Sequence, residues 1–315
     1  MRYSITLSYA GAGFCGWQRQ PSDPSVQECL ENALGKLLGG PVEVIGAGRT
    51  DTGVNAIGYV ACFDGPEGLA AEDFRYKLNA ILPRSIVVSN VAPAAPDFHA
   101  RFDARRREYT YFLHRMKDPF MDAYSLQCGY PELDFDAMNA AAAMLVGTHD
   151  FSCFEKVGAD NKTSVCTVFE AFWQPYVPSH VQVMGAVAET FPAQASYGRA
   201  MPVLGSPSEG ALPPNTPCGS RTTDIACTAG SVPSSAVHAE ACSERPGADG
   251  TYWYFRISAD RFLRNMVRAI VGTLIEVGRG KRSLDDFAAL LEGGSRSAAG
   301  ESVPGHALFL SGVDY

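Results

Sequence analysis

Residues 46–55 read G-A-G-R-T-D-T-G-V-N, ten positions in which an arginine and a carboxylate stand among three glycines. The flanking runs, Val42 to Ile45 and Ala56 to Phe63, are rich in β-branched and aromatic residues, so the segment reads as a loop joining two strands. Glycine permits the tight backbone path that would aim Asp51 into a cleft. Gly and Asp also build ordinary strand connections, in which the aspartate bonds its own backbone, so the loop alone leaves a purely structural role open.

Outward from that loop the first hundred residues alternate strands and helices. Met1 to Tyr9 has a strand's alternation, and Ser25 with Glu28 matches a capping box ahead of an apolar face of Val26, Leu30, Ala33, Leu34 and Leu37. Glu72 to Leu82 reads as a helix stopped by Pro83, and Ile86 to Val91 as a strand. The second half repeats the style, with strands at Glu108 to His114 and Thr163 to Trp173 around a helix at Phe135 to Val146, and a further candidate strand at His180 to Met184. After a strand at Thr251 to Ile257, the spacing predicts a long helix over Ala259 to Val277, its stripe running from Phe262 and Leu263 to Leu274. Arg261, Arg264 and Arg268 then share another face of that helix. A short helix at Ser283 to Leu291 and a strand at Ala307 to Val313 complete an α+β order.

Residues 185–249 differ in character: Ser, Pro, Ala, Gly and Thr dominate without a period, which reads as a low-complexity insertion. The expected division is an N-terminal α+β domain over 1–105, carrying the Asp51 loop, and a C-terminal α+β domain over 106–315 that the insertion interrupts.

At 315 residues, with 46% hydrophobic and 19% charged, the chain has the composition of a soluble globular protein with room for about two domains. No apolar run reaches the roughly 18 residues of a bilayer span, and the N-terminus is not a signal segment, so no membrane association and a cytoplasmic location are expected. Nine cysteines form no C-x-x-C pair and no metal spacing with the six histidines; they read as reduced thiols, and no metal is expected. The net charge of −8 argues against a nucleic-acid partner, yet two stretches are locally basic. Arg101, Arg105, Arg106, Arg107, Arg115 and Lys117 outnumber Asp103 and Glu108, and seven basic residues between 251 and 282 outnumber Asp260 and Glu276. Such stretches are either solvated surface or the walls of a cationic groove.

Eight segments match one family in chain order: G-F-C-G-W-Q-R-Q (13–20), S-V-Q-E-C-L-E-N-A-L (25–34), A-G-R-T-D-T-G-V-N-A (47–56), F-H-A-R-F-D-A (98–104), R-E-Y-T-Y (107–111), G-T-H-D-F (147–151), F-L-R-N-M-V-R-A-I-V-G-T-L (262–274) and the end of the chain. The sequence resembles tRNA pseudouridine synthase I. The resemblance implies the pseudouridine synthase fold, two similar halves with mixed or antiparallel sheets, helices on one face and an active-site cleft between them. It implies isomerisation of uridines at positions 38–40 of the tRNA anticodon arm, tRNA as partner, a homodimer and no cofactor. The reaction breaks the bond from N1 to the ribose, turns the base and rejoins it through C5, with no redox change. The target base must leave its stack, so the site needs a pocket and a stacking ring.

By the same resemblance Asp51 is the catalytic carboxylate, attacking the ribose carbon or assisting its deprotonation. Arg268 is the helix arginine beside it, Tyr109 stacks on the target base with a hydroxyl available for proton transfer, and Arg49 holds the flipped nucleotide out. Arg101, Arg105, Arg106, Arg107, Arg261 and Arg264 are candidate phosphate contacts. The run G-W-Q-R-Q offers no acid, base or nucleophile and reads as a loop shaped near the RNA. Where the family usually has Ala and His, this chain has Thr52 and Asn55, which implies altered efficiency or target range more than lost activity. The rival readings are a tRNA-binding protein of the same fold with impaired catalysis, and a synthase with different uridine targets.

Overall fold

The protein is described by a computed structural model over residues 1–158, 162–182 and 250–315. The chain divides into a unit of Met1–Pro178 with Gly247–Tyr315 and a second of Ser179–Pro246. The 185–249 insertion and the last residues of the strand expected at 180–184 lie outside the described residues, while 179–182 are helical rather than extended.

The first unit is organised by one ten-stranded sheet. Its strands are β1 (Arg2–Tyr9), β2 (Val44–Gly46), β3 (Asn55–Asp64), β4 (Ile86–Pro93), β5 (Arg106–His114), β6 (Leu126–Gln127), β7 (Gly147–Asp150), β8 (Val165–Pro175), β9 (Tyr252–Ala259) and β10 (Leu308–Asp314). The main path runs β4-β1-β3-β10-β5-β9-β8-β7, with β2 on β3 and β6 on β5. Strands from both halves of the sequence therefore share one sheet, and the C-terminal strand is the joint. It pairs in parallel with β3 through Phe309 and Leu310, and antiparallel with β5 from Leu308 opposite Tyr111 to Asp314 opposite Arg106.

Alternation along the strands sets which face is covered: Tyr3, Ile5, Leu7 and Tyr9 of β1 are buried while their neighbours are partly exposed. The helices α1 (Val26–Leu38) and α2 (Ala71–Ile81) supply Leu30, Leu34, Phe74 and Leu78 to the core under β1, β3 and β4. A second core under β5, β8 and β9 takes Met138 and Ala142 from α3 (Phe135–Met144), Ile270 and Leu274 from α4 (Met266–Gly278), and Phe287 from α5 (Leu284–Ala289). Tyr109 packs against both cores, so the seam between them runs under β5. Among the described residues no helix is long and apolar enough to cross a membrane.

The helix starts follow their local chemistry. The Ser25 hydroxyl accepts the Glu28 N–H at 3.3 Å, whereas the Glu28 carboxylate lies 3.9 Å from Arg19, so only half of the expected capping box forms. A complete box appears at Ser283 and Asp286.

One helix differs in a way that matters for the site. The segment expected to be helical from Ala259 begins its helix only at Met266. Ala259 instead ends β9 opposite Arg107, the Asp260 carboxylate accepts the Thr167 and Arg261 N–H groups, and Asn265 takes a left-handed conformation, φ 68°, at the helix start. The apolar period runs through this connection because Leu263 is buried in the same core, which is why spacing alone extends the helix too far. Arg261 and Arg264 are therefore loop residues.

Candidate active site

The loop after β2 is held from beneath by aromatic rings. Trp17 is buried and stacks on Tyr59 at 4.1 Å, and a Cβ on Gly46 would come within 2.2 Å of the Tyr59 hydroxyl and 2.5 Å of the Trp17 ring. Only glycine fits there. The Tyr59 hydroxyl donates to the Gly48 carbonyl and accepts the Gly48 N–H at 3.3 Å. Thr50, also buried, shares a 2.9 Å hydrogen bond with the Tyr9 hydroxyl, and its carbonyl accepts the Trp17 N–H at 3.3 Å. The G-W-Q-R-Q run thus serves chiefly as a support: its tryptophan is core, while Gln18 and Arg19 reach the cleft wall. With the loop backbone tied down on both sides of Asp51, a turn closed by the Val54 N–H on the Asp51 carbonyl at 3.1 Å leaves the carboxylate facing outward.

That carboxylate opens onto a cleft of about 1490 Å³. Its side chain is 24% exposed and has a guanidinium on each oxygen: Arg268 Nη1 lies 3.6 Å from Oδ2 and Arg264 Nε 3.9 Å from Oδ1. Both separations are ion-pair contacts longer than a hydrogen bond. The two arginines differ in freedom. Arg268, 23% exposed, donates from Nε to the Val303 carbonyl at 2.7 Å, while its own carbonyl accepts the Val303 N–H. Arg264 is 56% exposed, and its carbonyl rather than its side chain is tied, to the Lys156 N–H at 3.0 Å.

Tyr109 lines the same cleft, its ring edge-on to Phe262 at 5.0 Å. Burial pushes its phenol well above the usual value, Asp51 raises it further, and Arg107 pulls it part of the way back. At neutral pH Tyr109 is therefore a ring with an O–H to donate. Phe262, expected in the core stripe of a helix, instead positions this ring from a loop.

The candidate phosphate contacts divide. Arg101, Arg261 and Arg264 line the cleft. Arg49 also lines it, exposed and without a hydrogen-bond or ion-pair partner among the described residues. Arg105 is exposed away from the lining. Arg106 is corrected to the opposite sheet face, where its guanidinium sits 2.8 Å from Glu170 and 3.7 Å from Glu108. Alternation on β5 requires this, since Arg107 and Tyr109 face the cleft.

Arg107 is corrected in role, although it does border the cleft. Nε and Nη2 donate to the Ala47 carbonyl at 3.1 and 2.9 Å, Nη1 to Ala104 and Asp260 at 3.2 and 2.8 Å, and Nη2 also to Arg101 at 2.6 Å. All five N–H groups meet neutral carbonyls, and burial holds this guanidinium below its ordinary value. It staples the Asp51 loop to the 101–104 connection and to the loop carrying Arg264. Two cleft cations were missed by sequence reasoning, Lys156 and Lys162. They lie in a loop without periodicity, where no local signal separates a wall residue from a solvated one.

Asn55 does not face the cleft as an acid or base. Its carbonyl oxygen accepts the Gly11 N–H at 2.8 Å and its amide donates to the His306 carbonyl at 2.7 Å, tying the end of the loop to the approach of β10. Thr52 is exposed.

Asp51 between two guanidiniums, a protonated phenol and a cationic wall, brought together by the loops, helix and strand around one mixed sheet, define an α+β protein with a carboxylate set in a basic cleft. The chain belongs to the tRNA pseudouridine synthase family, whose pattern matches residues 5–103, 141–195 and 221–315. It is 39% identical over 316 residues to tRNA pseudouridine synthase A of Porphyromonas gingivalis, covering 100% of this chain and 97% of that one. It is also 39% identical to the protein of that name from Bacteroides fragilis, covering 96% of it, and 38% to that from Bacteroides thetaiotaomicron, covering 90%.

Proposed function

We propose that the protein isomerises uridine to pseudouridine in tRNA, at positions 38–40 of the anticodon arm, with Asp51 as the reacting carboxylate. The observation that carries this reading is the placement of Asp51 between Arg268 and Arg264 on the cleft that Tyr109 lines. In the reaction the N1–C1′ bond of uridine breaks, the detached uracil turns, a C5–C1′ bond forms, and the proton on C5 leaves while N1 regains one. Asp51 either bonds to the ribose carbon or takes a ribose proton, and both routes use it as an anion. Tyr109 supplies the face on which the flipped base rests, and its O–H is a donor to a uracil oxygen or nitrogen. Arg49, with free donors at the cleft, holds the vacated position, and Arg101, Arg261 and Arg264 take phosphates. A homodimer in the cytoplasm is the working form that the family resemblance supports.

Asn55 counts against impaired catalysis, because its side chain is engaged in anchoring the loop. The test is Asp51→Asn: product from unmodified tRNA should vanish while tRNA affinity stays within a few-fold. Normal turnover by that variant refutes the role. Mapping pseudouridine in the wild-type product checks the targets, and modification only outside positions 38–40 replaces the proposed specificity.

A further inference from the structure

Phe102 has three-quarters of its area in solvent, 75% exposed, yet it stands on the cleft wall. Single exposed apolar side chains are common on protein surfaces and need no explanation by themselves. Here the ring is built into a rigid presentation. The His99 imidazole stacks behind it at 4.2 Å with the planes 29° apart. The same imidazole's Nδ1 accepts the N–H groups of Arg101 and Phe102, both at 3.2 Å. Asp103 closes the turn, its carboxylate accepting the His99 N–H at 2.8 Å and its own N–H bonding the His99 carbonyl at 3.1 Å. The Arg101 carbonyl is gripped by Arg107. Backbone and backing ring are thus fixed before any ligand arrives, so little ordering entropy remains to be lost on binding.

The surroundings state what such a ring would meet. The Arg101 guanidinium lies over the ring at 5.7 Å from its centroid, within cation–π reach, and with three-quarters of Phe102 still in solvent it can take a phosphate of the nucleotide whose base rests there. Arg49, Arg261 and Lys162 line the same cleft. An apolar π-face framed by cations matches an unpaired base with its phosphate, and stacking on an aromatic ring is how proteins hold single-stranded RNA without reading its sequence.

We propose that Phe102, backed by His99, is a stacking subsite for an unpaired tRNA base beside the target uridine, with Arg101 on its phosphate. This rests on the RNA-modifying reading of the Asp51 site and adds to it a second base contact, distinct from the one at Tyr109. The experiment titrates unmodified tRNA transcript into the full-length protein and its variants, reading affinity and tryptophan emission. Phe102→Ala and Phe102→Leu should both bind about 5- to 100-fold more weakly, because leucine keeps the apolar area and loses the π-face. Phe102→Trp should bind within about threefold of wild type, and its added indole emission should be quenched as tRNA saturates. Circular dichroism and thermal midpoints establish that each variant is folded, and the exposed position gives every reason for that. Wild-type affinity in Phe102→Leu, or an unquenched Phe102→Trp, overturns the proposal. A change in sedimentation mass with unchanged tRNA affinity also overturns it, making the ring a contact between copies. Should the wild type make no pseudouridine while the quenching persists, the isomerase reading fails and this subsite stands.

Discussion

Replacing Arg107 by lysine tests whether the site is held in register by one side chain. The guanidinium places five N–H groups on four carbonyls in three segments, from Ala47, Arg101, Ala104 and Asp260. A lysine ammonium offers three N–H groups from a single point, so at least one of these four carbonyls loses its donor. An unsatisfied buried group costs about 1–3 kcal/mol, and the partial exposure here favours the low end, giving about 1–2 kcal/mol for one or two lost donors. For a protein of this size that lowers the thermal midpoint by about 2–4 °C. The effect on chemistry should be larger than on stability, because a drift of about 1 Å in the loop that carries Asp51, the proposed reacting acid, costs on the order of 100-fold in rate. Single-turnover conversion of tRNA should therefore fall by about that factor, with tRNA affinity within threefold because no guanidinium donor is free for phosphate. Amide exchange should rise in residues 46–54 and 260–265. The reasoning is refuted by the converse pattern: tRNA binding weakened tenfold with a shallower salt dependence, while rate, thermal midpoint and exchange stay at wild-type values.

Three further perturbations address other parts of the frame. Gly272→Ala puts a Cβ 1.8 Å from the Glu301 carbonyl oxygen, so the 299–304 segment must move off α4 and release the Val303 carbonyl that holds Arg268; about 1–3 kcal/mol of stability and most of the turnover should be lost, read by calorimetry and single-turnover assay. Burial lowers the pKa of His114 below its ordinary 6.5, against the opposing pull of Asp122. The unfolded chain then binds the proton more tightly, so stability present above about pH 6.5 declines as pH falls through that value toward the lower folded pKa; His114→Gln should flatten the thermal midpoint between pH 7.5 and about 5. Deleting about residues 187–248 should leave fold and turnover largely intact, since Pro175 of β8 already stands opposite Trp253 of β9 and a short loop spans such neighbours; lost solubility or turnover would refute this.

Much of the site was legible because its parts are local. The strand–loop–strand around Asp51, the Ser25 cap, the apolar face of α1 and the alternation that brings Arg107 and Tyr109 to one face all depend on residues within a few positions of each other. That same alternation sends Arg106 to the far face with Glu170, a signal present in the sequence but masked by reading the arginine run as one patch. The helix expected from Ala259 shows the limit of periodicity, since Leu263 follows the apolar spacing from a loop that tertiary packing buries.

By itself the sequence determined most of the elements, the family and the loop that carries Asp51, because propensity, capping and motif spacing are properties of neighbouring residues. Only the folded chain decided that Arg264 and Arg268 meet Asp51 on its two oxygens, that Asn55 is an anchor, and that Arg107 binds carbonyls rather than phosphate. Those outcomes join groups as far apart as Asp51 and Arg268, or Asn55 and His306. The physical reason is that a guanidinium or an amide takes whichever partners the sheet register and core packing bring to it, and chain spacing carries no trace of that choice.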